Sequence, residues 1–225
     1  MTLLFENSDF VLISKPAGMN FHSETEAGFV VKAKALTGAG ELYPVHRLDK
    51  MTSGLVLLAK TKTAAQRFGE LFERRAIEKY YLAISLRKPK KKQGWIKGDM
   101  AKARRGDWKL AKTMDNPAIT RFVSAPLREH ERAFLVKLYT GKTHQIRVAL
   151  KSLGSPVAGD ERYADKTEAQ KEERGSLHAY ALRFTYGGEA FAFVAPPEAG
   201  ERFSSPEFKA LLKTWNAPWD FFSEK

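Results

Sequence analysis

The run Leu55 to Ala59, LVLLA, is the tightest constraint on how this chain can fold. It is five successive apolar residues, far short of the ~20 needed to cross a bilayer, and it reads as a buried strand. A buried strand needs neighbours for its backbone N–H and C=O groups. The sequence supplies them as short apolar segments separated by turn residues. DFVLISKPAG, near the start, reads as a strand closed by a Pro-Ala-Gly turn, with no separate module in front of it. KYYLAISL, AITRFVSAPL, RAFLVKLYT, LHAYALRFTY and AFAFVAPP read as further strands. In RAFLVKLYT the alternation runs through Phe134, Val136 and Leu138.

Between the strands, KTAAQRFGELFERR places Ala64, Ala65, Phe68, Leu71 and Phe72 on one helical face behind a Thr cap. TGKTHQIRVALKSLGSP predicts a helix capped by Thr143 and ended by Gly154, with Ile146, Ala149, Leu150 and Leu153 as its core stripe. At ~100° per residue, His144, Arg147 and Lys151 gather away from that stripe, Arg147 nearest its edge. A cation there can point into a cleft. Tyr163 to Ser176 is polar and is expected to be a mobile loop. SSPEFKALLKTW closes the chain as an amphipathic helix with Pro206 in its first turn and Phe208, Leu211, Leu212 and Trp215 buried.

Length and composition narrow the class. At 225 residues, 43% of them hydrophobic, the chain suits one globular domain, or two subdomains sharing a core. The opening MTLLFENSDF lacks the basic start and small-residue cleavage site of a signal peptide, and no membrane span is expected. The absence of cysteine excludes disulfides, thiolate catalysis and cysteine-bound metals, and the cytoplasm is the default location. The net charge of +12 is concentrated: residues 86–112 hold eleven Lys or Arg against two Asp, a balance of +9. Trp95 and Trp108 interrupt that run, and cations interleaved with aromatics are the footprint of nucleic-acid binding. A solvated hairpin with its tryptophans packed beneath is the plain alternative.

Three stretches carry the chemistry: HRLDKMTSGL at 46–55, KYYLA at 79–83 and GKTHQIR at 141–147. With KPAG at 15–18 before them, and GSPVAGDERY and LHAYAL after, their order resembles the RluA-type family of RNA pseudouridine synthases over essentially the whole chain. The resemblance implies an α+β fold with a mainly antiparallel mixed sheet flanked by helices and loops around an active-site cleft. It also implies isomerisation of a uridine already in RNA. The bond from C1′ to N1 breaks, the uracil turns in place, and a C1′ to C5 bond forms. Nothing is consumed, so no cofactor is expected. None of His22, His144 and His178 has a second histidine at ligand spacing, so no metal is expected either.

Within that resemblance Asp49 matches the catalytic aspartate. One carboxylate at the sugar can assist cleavage covalently, by abstracting a sugar proton or by stabilising positive charge. Hydrolases of glycosidic bonds usually need a second acid to activate water, which a pocket that retains the detached base must exclude. Arg147 matches the basic residue beside the aspartate, where a bidentate guanidinium would hold the carboxylate charged and fix its rotamer. Tyr81 matches the tyrosine that stacks on the target base. Tyr80 points to the other side of the strand.

Arg47 matches a position able to contact RNA or fill the hole left by a flipped base. Leu48, Lys79, Lys142 and His144 complete the expected substrate-binding set, while His46 and Leu48 shape the turn and Thr52, Ser53 and Gly54 form it. His22, His144 and His178 are not assigned as bases. Lys142, Ala149 and Ala164 stand where the family often has Arg, His and Gly. No S4-like RNA-binding domain is expected, which favours a compact stem-loop of rRNA or tRNA as the partner, bound by a monomer. A basic RNA-binding or RNA-folding protein that keeps the fold without catalysis is the competing reading.

Overall fold

The computed structural model describes residues 1–23 and 26–222. Strands β1 (Thr2–Glu6) and β2 (Phe10–Lys15) precede helix α1 (Phe29–Thr37), the short β3 (Tyr43–Pro44), β4 (Ser53–Ala59) and helix α2 (Lys62–Glu73). Next come β5 (Glu78–Ser85), β6 (Gln93–Gly98), β7 (Met100–Lys102), β8 (Trp108–Leu110), β9 (Ala118–Pro126) and β10 (Arg132–Leu138). Helices α3 (Gln145–Ser152) and α4 (Lys166–Ala169) lead to β11 (Leu177–Tyr186) and β12 (Glu189–Val194). Helices α5 (Glu201–Ser204) and α6 (Pro206–Thr214) and a 3-10 turn at Pro218–Phe222 follow. The fold is α+β, its sheet mainly antiparallel and flanked by helices. The chain divides into two compact units: Met1–Ile77 with Ala179–Pro196, and Glu78–His178 with the residues from Pro197 on.

In the first unit β4 pairs antiparallel with β2, from Phe10 opposite Ala59 to Lys15 opposite Gly54. All seven β4 residues are buried, so the strand expected at Leu55 extends back through Gly54 and Ser53, which are therefore strand and not turn. Thr61 caps α2 by accepting from the Ala64 N–H at 3.0 Å. The buried edge of α2 sends Phe68 against Phe10 edge-on at 5.3 Å and flat onto Tyr186 at 4.5 Å. Burying each such phenylalanine stabilises the unit by about 1.5–3 kcal/mol. Gly187 and Gly188, both with positive φ, make the two-residue turn between β11 and β12, the connection that matches strand twist. Helix α1 was not expected. Its sequence, FVVKAKALT, has adjacent valines and no side-chain cap, and only Phe29 and Ala33 are buried.

In the second unit β10 pairs with both β5 and β9, and β6 pairs with β9, all antiparallel. The registers assign side chains to faces. Lys79, Tyr81 and Ala83 share one face with Leu138, Val136, Phe134, Thr120, Phe122 and Ile96; Tyr80 shares the other with Lys137, Arg121 and Trp95.

Two helical expectations need correction here. Thr143 does not cap α3; its N-cap is His144, held in the left-handed region at φ 56° with no side-chain cap bond. Gln145 fixes the entry instead. Its Oε1 accepts from the Lys142 N–H (3.0 Å) and the Thr140 hydroxyl (2.8 Å), and its Nε2 donates to Ile119 O (3.1 Å) and Thr120 Oγ1 (3.0 Å). At the far end Gly154 stops the helix with φ 76°, as expected. The segment from Tyr163 to Ser176, expected to be a mobile loop, is ordered structure: Tyr163 is buried and Asp165 caps α4 through the Glu168 N–H at 3.0 Å. Its polarity is spent on turns. Gly94 lies inside β6 with φ 134°.

Candidate active site

The expected residues fall in both units. In the first, Asp49 sits half-buried on the turn leading into β4, with Leu48 buried and Arg47 exposed beside it. The turn is pinned from several directions. The Thr52 N–H donates to the carbonyl of Asp49 at 3.0 Å, and the Gly18 N–H donates to that of Lys50 at 2.8 Å. Lys15, fully buried, donates through Nζ to the carbonyls of Pro16 (3.0 Å), Met19 (2.9 Å) and Lys50 (3.3 Å). The KPAG turn and the HRLDK turn are thus tied together at the carbonyl of Lys50, the residue after Asp49. His46 contributes by accepting the Leu57 N–H at Nε2 (2.9 Å) and packing its ring against Phe72 at 5.2 Å. It shapes the turn, as expected. Gly54 answers a close approach: with φ 107°, a Cβ built on it would lie 2.2 Å from the carbonyl oxygen of Ala179.

In the second unit the two tyrosines of β5 separate as alternation requires. The hydroxyl of Tyr80 donates to Glu78 at 3.0 Å, and its ring packs on Trp219 and Phe222. Tyr80 belongs to the wall formed by the C-terminal turn. Tyr81, 9% exposed, lies on the opposite face together with Lys79, which is also buried. That face carries α3, because Gln145 reaches Thr120 in the row that runs from Thr120 through Leu138 to Lys79. Arg147 therefore sits on a helix that rests on the Tyr81 face.

Arg147 is buried, and its two-pronged contact is with Asp160: Nε to Oδ2 and Nη2 to Oδ1, both 2.8 Å. The side chains are 9% and 0% exposed. Asp160 Oδ1 also accepts the N–H groups of Arg162 (3.1 Å) and Tyr163 (3.2 Å). Asp160, which takes this fork, is a residue not singled out from the sequence.

Tyr163 completes the arrangement. Its ring faces Arg147 at 5.0 Å and Lys151 at 5.3 Å, and its hydroxyl shares a hydrogen bond with His144 Nδ1 at 2.9 Å. The three polar-face residues of α3 do gather on one side, but beneath a tyrosine. Burial pushes the Tyr163 phenol above its ordinary value, opposed in part by the Trp108 N–H and the nearby Arg147. The neutral hydroxyl persists at neutral pH. It accepts the Trp108 N–H at 3.0 Å, and Arg162 pairs with Asp107 at 3.0 Å, so the β7–β8 hairpin of the basic segment is fastened to the same cluster. Lys142 is engaged with Asn116 Oδ1 at 2.8 Å, and His178 is a buried histidine packed on Phe203.

Among the described residues no group of three or more His, Asp or Glu is placed to hold a metal, and no helix is long and apolar enough to cross a membrane.

Comparison with known proteins identifies the family. The family model for RNA pseudouridylate synthase matches residues 9–152. An uncharacterized RNA pseudouridine synthase of Haemophilus influenzae is 45% identical over 205 residues, covering 91% of each chain. The ribosomal large subunit pseudouridine synthase C of Rickettsia bellii is 32% identical over 184 residues, covering 79% of this chain and 61% of its own. Among solved structures, human RNA pseudouridylate synthase domain containing 4 superposes with a TM-score of 0.74 at 25% identity, covering 92% of each chain. The chain belongs to the RNA pseudouridine synthase family, in its RluA-type branch, and is an isomerase that converts uridine in RNA to pseudouridine.

Proposed function

We propose that the chain modifies a specific uridine in a structured RNA stem-loop, of rRNA or tRNA, with Asp49 as the catalytic carboxylate. Ribosomal RNA is the first candidate, because the relatives from Rickettsia bellii and Pasteurella multocida carry the large ribosomal subunit in their names. The reaction asks for a carboxylate at the ribose, a surface for the base and a fixed cation. Our assignments are Asp49, Tyr81 and Arg147, with Arg47, Leu48, Lys79, Lys142 and His144 contacting RNA. The observation that carries the reading is the buried, doubly bonded guanidinium of Arg147 on a helix resting on the Tyr81 face. A cation held that rigidly loses little on meeting an anion, since its orientation is already set.

The atoms balance without a second reactant. Cleavage at N1, rotation, bond formation at C5, loss of the C5 proton and gain of one proton at the freed N1 return a product of the same composition. We further propose that the protein acts as a cytoplasmic monomer. Pseudouridine mapping of RNA from cells lacking the gene, complemented with wild type or with Asp49→Asn, tests the assignment. Wild type restores a discrete site and the variant does not, while its RNA affinity stays within a few-fold. Restoration by Asp49→Asn would remove Asp49 from the mechanism.

A further inference from the structure

The face of the second unit's sheet opposite Tyr81 holds, beside the C-terminal turn that covers Tyr80, a group of side chains that the reaction does not use. Trp95 on β6 is 41% exposed, and its ring lies 4.9 Å from that of Tyr139. Lys97 Nζ stands 4.6 Å from the Trp95 ring centre and the Arg121 guanidinium 5.2 Å from it. Lys137 borders the group, 5.2 Å from the Tyr139 ring, but it is matched by Glu78 at 2.5 Å. Lys97 and Arg121 are not: among the described residues neither meets a carboxylate, and Arg121 donates only to the Phe222 carbonyl at 2.9 Å. Cations resting on an exposed ring are weakly held. The strand that carries Trp95 and Lys97 is entered through Lys88, Lys90, Lys91 and Lys92, all exposed, and no acid interrupts residues 86–98.

A surface strand that only had to stay soluble would place polar side chains at these outward positions. This one exposes a tryptophan between cations. Stacking area beside unmatched positive charge suits a nucleic-acid strand, whose bases present π-faces and whose phosphates take the charge. We propose that this face is a second RNA contact. One base of a strand flanking the target stacks on Trp95, and Lys97 and Arg121 hold its phosphates. The proposal rests on the reading of the chain as an RNA-modifying enzyme and adds a substrate-binding surface on the face of the sheet opposite Tyr81.

A short fluorescein-labelled oligoadenylate, which has no uridine to isomerise, is the probe. Its anisotropy is titrated with the full chain across a series of KCl concentrations. Trp95→Ala weakens binding by about tenfold and Trp95→Phe by much less, as loss or retention of one stacked base requires. Lys97→Gln lowers the salt slope by about 0.7, the share of one single-strand phosphate, and adding Arg121→Gln lowers it by about as much again. Far-UV circular dichroism and urea unfolding check that the variants fold; Lys97→Gln alone suffices if Arg121→Gln loosens the C-terminal turn.

Unchanged affinity in Trp95→Ala together with an unchanged slope in Lys97→Gln overturns the platform, including when the wild type makes pseudouridine normally. If no RNA is modified by the wild type while Trp95→Ala still loses the oligoadenylate, the catalytic reading falls and the platform stands.

Discussion

Replacing Asp160 by Asn should unfold the protein far more readily than its surface-like sequence context, GDERY, suggests. Asp160 is fully buried, and four contacts converge on its carboxylate: two from Arg147, and one each from the Arg162 and Tyr163 N–H groups. Exposed ion pairs are worth about 0–1 kcal/mol, but breaking a buried pair by removing one partner costs about 3–5 kcal/mol, because the other charge is left uncompensated. Asn can keep the two backbone N–H groups on its oxygen, yet it turns an NH2 toward the Arg147 fork and carries no charge. We expect a loss of about 3 kcal/mol, with a fall in Tm of roughly 10 °C for a chain of this size.

Urea unfolding followed by tryptophan fluorescence measures it, with the slope against urea as a check that the folded state is still compact. The double variant Asp160→Asn with Arg147→Met should recover part of the loss, since the buried charge is removed while the Asn oxygen still accepts the Arg162 and Tyr163 N–H groups. A loss below about 1 kcal/mol at unchanged slope would refute the argument, for the pair would then behave as a screened surface bridge.

Three further outcomes are expected. Gly54→Ala, which drives a methyl into the Ala179 carbonyl at a backbone conformation of φ 107°, should cost at least about 2 kcal/mol in urea unfolding; a neutral result would mean that β4 can shift freely. Lys15→Met, which removes the side-chain donor from the carbonyls of Pro16 and Met19 and leaves that of Lys50 with the Gly18 N–H alone, should lower stability by about 2 kcal/mol; a Tm equal to wild type would show the clamp to be dispensable. Burial pushes the Tyr180 phenol up to about 12. A folded pKa above the unfolded value of ~10 gives stability that is complete below that pH and is lost as the pH rises through the folded value. Tyr180→Phe should therefore flatten the decline in stability across that alkaline window, and superimposable curves would exclude the contribution.

What could be read in advance was whatever depends on neighbours in sequence. The apolar run at Leu55 could only be a buried strand, and alternation alone sent Tyr80 and Tyr81 to opposite faces. Thr61 and Gly154 bound their helices through contacts a few residues away. The partners formed across the fold were not legible. Nothing near Arg147 indicates that its fork closes on Asp160, and nothing in KPAG says that Lys15 turns inward. His144 looked like the residue after a hydroxyl cap, because Gln145 does the capping work through contacts with Thr120 and Thr140 that lie in other strands and turns. The segment after Tyr163 was misread for a related reason: polar composition does not distinguish side chains that meet water from those that close turns.

Turns that gather several carbonyl oxygens around one point are often organised by a metal ion, whose occupancy then follows its concentration. Here the positive centre is the ammonium of Lys15, attached to the chain it organises. It cannot be diluted, chelated or exchanged for a competing ion. The backbone that carries Asp49 should therefore keep its shape whether the surrounding potassium and magnesium are scarce or abundant, while the RNA it is proposed to meet remains sensitive to both.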